Sequence, residues 1–244
     1  MISFRRNEIA LGAVVQSLAT LDLAEGLRSY YIQSDVRGFK QSFYQASQLM
    51  VSTVGQTDGS LFDTVFPFTC ALLSDNERVI QSMANVATIS LEKTAGNPLR
   101  VQYVTHMLQL AILEDDDQLR THIEEMASHG RVADRRAAVK GKDFYSLLLK
   151  RDEEGLRQLI QKHSRLNGDR ALFEDFMSLK AIYEAKLCWR RGMKIQIDSP
   201  LVPMELIPVE PLRHYEDVYK FLEPDWTPPR QGLLGKVGRL FKGH

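Results

Sequence analysis

Three stretches of this 244-residue chain can be laid over one another without a gap: ALLSDNERVIQSM (71–83), AILEDDDQLRTHI (111–123) and LLKRDEEGLRQLI (148–160). Each closes an apolar helical run, turns on acidic residues and resumes with apolar side chains at its ninth and thirteenth positions. The starts lie 40 and 37 residues apart, a spacing that suits stacked helical hairpins. An acid at the start of a helix complements its dipole and caps free amides. The repeat therefore predicts an all-α chain of stacked, solenoid-like hairpins rather than a four-helix bundle.

The rest of the body agrees. Apolar positions recur at helical spacing from about residue 7 to 191, and the breaks fall on turn residues. They are Asp35–Gly38, 55–60, 74–76, 95–98, 114–117, 128–131, 150–154 and 166–169, which gives eight or nine helices. The first helix is expected to place Leu11, Val14, Val15, Leu18 and Leu21 on one face. The last long helix is expected over Asp169–Arg191, with Phe173, Phe176, Leu179, Ile182, Tyr183 and Leu187 on its apolar face. Gly192 follows as a left-handed stop. One domain over 1–226 and a basic tail over 227–244 are the expected organisation, with the tail read as a frayed terminus.

After Gly192 the chain changes character. Met193, Ile195 and Ile197 alternate with Lys194, Gln196 and Asp198, the pattern of a short half-buried β segment. Pro200, Pro203, Pro208 and Pro211 then hold the backbone extended. Leu201, Val202, Met204, Leu206, Ile207 and Val209 are too apolar to face water. The segment 193–212 is expected to cap the end of the stack, or to display Asp198, Glu205 and Glu210 as a recognition surface. A short helix is expected over 213–222.

Few chemistries find support. Lys plus Arg and Asp plus Glu number 31 each, so bulk attraction to nucleic acid or a membrane is not expected. The first arginines are followed by Glu8, and Gln16 and Ser17 interrupt the apolar run, so no signal peptide is read there. No apolar run is long enough to span a bilayer. Cys70 and Cys188 suggest no disulfide framework, and a cytoplasmic setting is expected. Phosphate loops, nucleophile elbows and zinc-spaced ligands are absent from the sequence, and no cofactor is expected. His122 and Glu125 in HIEEM read as a surface contact, and His106 as a satisfied histidine. The run Glu114, Asp115, Asp116, Asp117 lacks the spaced ligands and glycine of a calcium loop. It reads as a helix start that doubles as an acidic surface.

The stretch KAIYEAKLCWRRGMKIQIDSPLVPMELIPVEPLRHYEDVYKFL (180–222) resembles the immunity protein 49 family of bacterial polymorphic toxin systems. Lys186, Arg191, Gly192, Ile197, Asp198, Pro200, Leu201, Pro203, Glu205 and Leu206 carry the likeness, with Pro211, Leu212 and Tyr215 behind them. ALLSDNERVI is similar to the family's middle part. The resemblance implies a non-enzymatic bacterial protein that binds and neutralises a cognate toxin domain; it supplies no functional residues. Toxin contacts are expected from acids that would complement a basic toxin site: Glu114 to Asp117, then Asp152, Glu153 and Glu154, with Asp198, Glu205 and Glu210. A helical-repeat adaptor is the alternative, and an enzyme reversing a toxin's modification the third reading.

Overall fold

Two-residue corners set the architecture. In the computed structural model, which describes residues 11–55, 57–165, 175–223 and 225–226, eleven α-helices form among the described residues. They are α1 (Leu11–Gln33), α2 (Val36–Ser52), α3 (Phe66–Ser74), α4 (Glu77–Ala84), α5 (Ile89–Thr94) and α6 (Val101–Leu113). There follow α7 (Asp116–His129), α8 (Val132–Val139), α9 (Phe144–Lys150), α10 (Glu153–His163) and α11 (Leu179–Arg190). Four pairs, α1–α2, α3–α4, α6–α7 and α9–α10, turn through Ser34–Asp35, Asp75–Asn76, Glu114–Asp115 and Arg151–Asp152.

In every corner the first residue is left-handed, with φ between 55° and 58° at Ser34, Asp75, Glu114 and Arg151. The second is an Asx residue whose side chain accepts the N–H three residues on: Gly38 at 2.9 Å, Val79 at 3.1 Å, Gln118 at 3.1 Å and Gly155 at 2.9 Å. The left-handed turn costs about 1–2 kcal/mol for a residue with a Cβ, and the cap returns about 1 kcal/mol. The corner is thus a local near-balance that packing decides. The three aligned acidic stretches are the second, third and fourth of these corners.

Successive pairs lie against one another: α2 against α3 and α4, α4 against α6, α7 against α9, and α10 against α11. Helix α11 then returns to pack on α3. Its apolar side chains from Leu179 to Cys188 are buried, including Ile182, Tyr183 and Leu187, and Trp189 is partly buried. Each such aliphatic residue contributes about 1.5–3 kcal/mol. Glu184 and Lys186 are buried beside them.

Several sequence expectations change. Helix α11 begins at Leu179, because Ser178 gives its N–H to the Leu201 carbonyl at 2.8 Å and Phe176 precedes the helix; residues 166–174, with Phe173, lie outside the described residues. Helix α1 buries Val15, Ala19, Leu23 and Leu27, whereas Leu21 is exposed. Two further breaks appear, before Thr88 and Asp143, each of which caps the next helix through its side chain.

No strand forms among the described residues. Met193, Ile195 and Ile197 are buried and alternate with exposed Lys194, Gln196 and Asp198, but no second strand lies alongside. Side chains take the backbone groups instead. The Gln161 amide accepts the Asp198 N–H at 2.9 Å and donates to the Asp198 carbonyl at 2.7 Å. Trp189 Nε1 donates to the Ile195 carbonyl at 3.0 Å.

The helix expected over 213–222 is replaced by extended chain with a single 3-10 turn at Lys220–Leu222. There the Gln41 side chain accepts the Glu216 N–H at 3.0 Å and donates to its carbonyl at 2.8 Å. Residues 193–222 therefore form a strap across the stack. The basic tail, 227–244, lies outside the described residues.

Candidate interaction surface

The strap is fastened by charge. Lys186, Arg190 and Arg191 stand at the C-terminal end of α11, where cations suit the helix dipole. Lys186 Nζ lies 2.7 Å from Asp75 Oδ1, and Arg191 Nη1 lies 2.8 Å from Asp116 Oδ1. Arg190 forks onto Glu77 at 2.9 and 3.0 Å. One helix end thus reaches the corner before α4 and the corner before α7.

Asp75 also meets a second cation, Lys40 of α2, with Nζ 2.9 Å from Oδ2. All three side chains of this trio are buried. Both ammonium groups also donate to the strap: Lys186 to the Leu206 and Pro208 carbonyls at 2.9 Å each, Lys40 to the Glu210 carbonyl at 2.7 Å. The Glu210 N–H donates to Asp75 Oδ2 at 3.2 Å, and the Tyr215 hydroxyl donates to the Ser74 carbonyl at 2.7 Å. Burial pulls the Lys186 ammonium down to about 8, although Asp75 opposes it. Further along, Asp217 accepts from Tyr44, from Gln48 at 2.9 Å and from Arg78 at 3.2 Å, and the Tyr44 bond leads in holding its carboxyl below the usual range. Tyr219 donates to Asp22 at 2.9 Å.

These facts sort the ten acids expected to meet a toxin. Asp115 and Asp152 are corner caps, and Asp116 holds Arg191. Asp117 pairs with Arg120 at 2.7 Å and Glu154 with Arg157 at 2.6 Å, both within one helix turn. Glu114 is the left-handed corner residue and, like Glu153, is exposed. Asp198 is fixed through its backbone with its side chain outward, and Glu205 accepts from Tyr30 at 3.3 Å. The Glu210 backbone belongs to the buried trio, and its side chain is exposed. They are held from several elements: 114–117 and 152–154 belong to two corners, the Asp198 backbone is bound from α10, Glu205 from α1, and the Glu210 backbone lies beside Asp75.

A cavity of about 150 Å³ opens between α8, α9, α10 and α11. In its wall His163 Nδ1 lies 2.7 Å from Glu184 Oε2, and Tyr145 and Tyr183 lie alongside. The other Glu184 oxygen is buried without a hydrogen-bond partner among the described residues. Burial pushes both phenols well up. Sequence reading passed over this pair because its members lie 21 residues apart, on two different helices. Among the described residues no group of three or more His, Cys, Asp or Glu side chains is arranged to hold a metal ion.

Compared with protein families, the chain matches the family model for immunity protein 49 over residues 7–206. That is most of its length. The chain belongs to the immunity protein 49 family. No curated protein and no solved structure matched it.

In this immunity protein 49 member the matched region takes in every corner, α11 and the strap up to the 3-10 turn at Met204–Leu206. Lys40, Asp75 and Lys186 lie inside it, while Pro211, Leu212 and Tyr215, which also carried the resemblance, lie beyond it. No helix among the described residues is long and apolar enough to cross a membrane. The family member also shows a surface that the sequence reading left out. Around α8 and the α8–α9 turn, Arg135, Arg136, Lys140, Lys142, Lys150 and Lys162 are exposed. Their signal was legible in RVADRRAAVKGK, residues 131–142, which holds five cations and one acid. Overall neutrality concealed it.

Proposed function

We propose that this protein binds the toxin domain of a bacterial polymorphic toxin system and neutralises it by stoichiometric occlusion. The observation that carries the reading is the family match over residues 7–206. Two structural features support it. The hairpins are tied to one another by α11 and the strap, so the stack offers a broad, preorganised surface, and preorganisation lowers the entropy lost on binding. The acids and cations around α11 already answer one another, which leaves recognition to the exposed faces of the hairpins.

The test is co-expression with the toxin domain encoded beside this gene, reading survival and complex formation by size-exclusion chromatography. Rescue accompanied by a one-to-one complex is the expected result. Rescue by substoichiometric amounts without a complex would replace occlusion by catalysis. Failure to rescue would return the chain to a helical adaptor role.

A further inference from the structure

We propose that α8 and the lysine-lined groove at its C-terminal end form the docking surface for an acidic, apolar-flanked segment of the toxin. This rests on the immunity reading and names the chemistry of its partner.

Helix α8 is unusual in what it leaves uncovered. It has eight residues, and Ala138 alone among them is buried. A helix so short gains little from its own backbone bonds, and α7 is the element that holds it. Yet it shows Val132 and Val139 to solvent at 64% and 69% exposure. Seven residues apart, these valines stand on one face two turns from each other, with Arg135 and Arg136 at the intervening turn. The face therefore reads apolar, cationic, apolar.

The stripe runs directly into a groove of about 750 Å³. Lys140, Lys142, Lys150 and Lys162 line it, and Leu147 and Leu159 contribute apolar wall. Gly141, left-handed at φ 59°, makes the turn that brings Lys140 and Lys142 to its rim.

The charges are what the groove leaves unanswered. None of the six cations of the stripe and groove forms an ion pair among the described residues. Lys150 reaches only the Gly141 carbonyl, at 3.4 Å. The groove's own acids are engaged, Asp152 as the cap of α10 and Glu154 by Arg157 and Gln158. Asp134 on α8 is the single acid set among the cations of that helix. A surface with uncompensated positive charge and apolar anchors complements an acidic partner segment with apolar side chains. Nucleic acid fits less well: neither α8 nor the groove presents an aromatic ring for a base to stack on.

The experiment uses the full chain and the toxin domain encoded beside it, with affinity measured by calorimetry. The triple variant Lys140→Glu, Lys142→Glu, Lys150→Glu is expected to weaken binding by about 100-fold, with an unchanged circular dichroism spectrum and melting temperature. Val132→Ser with Val139→Ser is expected to weaken it about 10-fold. Wild-type affinity should fall as salt rises from 50 to 500 mM, and the triple variant should lose that dependence. Glu114→Lys with Asp117→Lys, on the acidic corner, should leave affinity within about threefold. If wild-type protein forms the complex and the lysine variant binds as well, the docking surface is wrong and the immunity reading stands. If wild-type protein forms no complex, both fall. Tighter binding of a labelled single-stranded RNA or DNA 20-mer than of the toxin, lost in the triple variant, would replace the protein partner with nucleic acid.

Discussion

Asp75 keeps two ammonium groups out of water. It sits in a left-handed corner, is buried, and is shared by Lys40 at 2.9 Å and Lys186 at 2.7 Å. Removing the anion from a buried ion cluster leaves unpaired charge, which costs about 3–5 kcal/mol. Asp75→Asn keeps the side-chain shape and the tolerance for positive φ, so it isolates the charge. Urea unfolding at pH 7 is expected to show that loss, and a change under about 1 kcal/mol would mean the trio is not charged as drawn. The same site sets a pH dependence. Folded Lys186 releases its proton near pH 8, while in the unfolded chain it holds the proton to about 10.4. Between those values the unfolded state binds more protons, so this group's contribution to stability rises with pH, and its full burial penalty is present below pH 8. Tyr44 and Tyr219, pushed up to about 12, act in the opposite sense once unfolded tyrosines titrate near 10. Between pH 7.5 and 9.5, wild-type protein should therefore gain on the order of 1 kcal/mol relative to Lys186→Met. Parallel pH curves for the two would remove Lys186 as the titrating group.

At the scale of elements, close packing decides where the local signals are weak. Helix α1 meets α2 at Gly26, where a Cβ would lie 2.8 Å from Cδ2 of Phe43. Phe43 is fully buried and stacked on Phe39 at 4.0 Å, so its ring has nowhere to swing. Helix propensity alone favours Gly26→Ala by about 1 kcal/mol, and overpacking opposes it by about 1–3 kcal/mol. We expect net destabilisation, read as a lower thermal midpoint; a higher one would show that the helices separate freely. The corners were legible for the reason the glycine was not: an Asx residue three before its amide partner is a local signal, whereas a ring from another helix is not. The sequence placed a break at Asp35–Gly38 but missed that Ser34–Asp35 is the same corner, since no run of acids follows Asp35. The strap was misread over 213–222 because Tyr215, Val218, Tyr219 and Leu222 fall at helical spacing. Gln41, Tyr44 and Asp22 bind that stretch in extended form from α1 and α2, some 170–200 residues earlier in the chain. Of the candidate surface, the basic run on α8 was visible in sequence, but its exposure depends on α8 burying almost nothing.

A linear array of hairpins unfolds by nearest-neighbour steps, because each repeat touches only its neighbours. This chain is wired differently. Helix α11 touches the corner before α4 through Lys186 and Arg190 and the corner before α7 through Arg191. The strap then carries the connection to α1 and α2 through Glu205, Glu210, Glu216 and Tyr219. Opening the first hairpin therefore frees the strap, and freeing the strap strips both carbonyls from Lys186. Such closure of sequence-distant contacts should make unfolding all-or-none across the stack. The probe is Trp189, whose indole donates to the strap at Ile195, read by fluorescence in a Trp226→Phe background. Its urea transition should coincide with that of far-ultraviolet circular dichroism, which follows the helices as a whole. Asp75→Asn should move both curves together to lower urea. If the fluorescence transition came first and the helical signal persisted, the strap would be a separable cover and the hairpins an ordinary solenoid. Coincidence would mean that the hairpins offered to a partner are held together by the strap, through the same buried trio that fastens it.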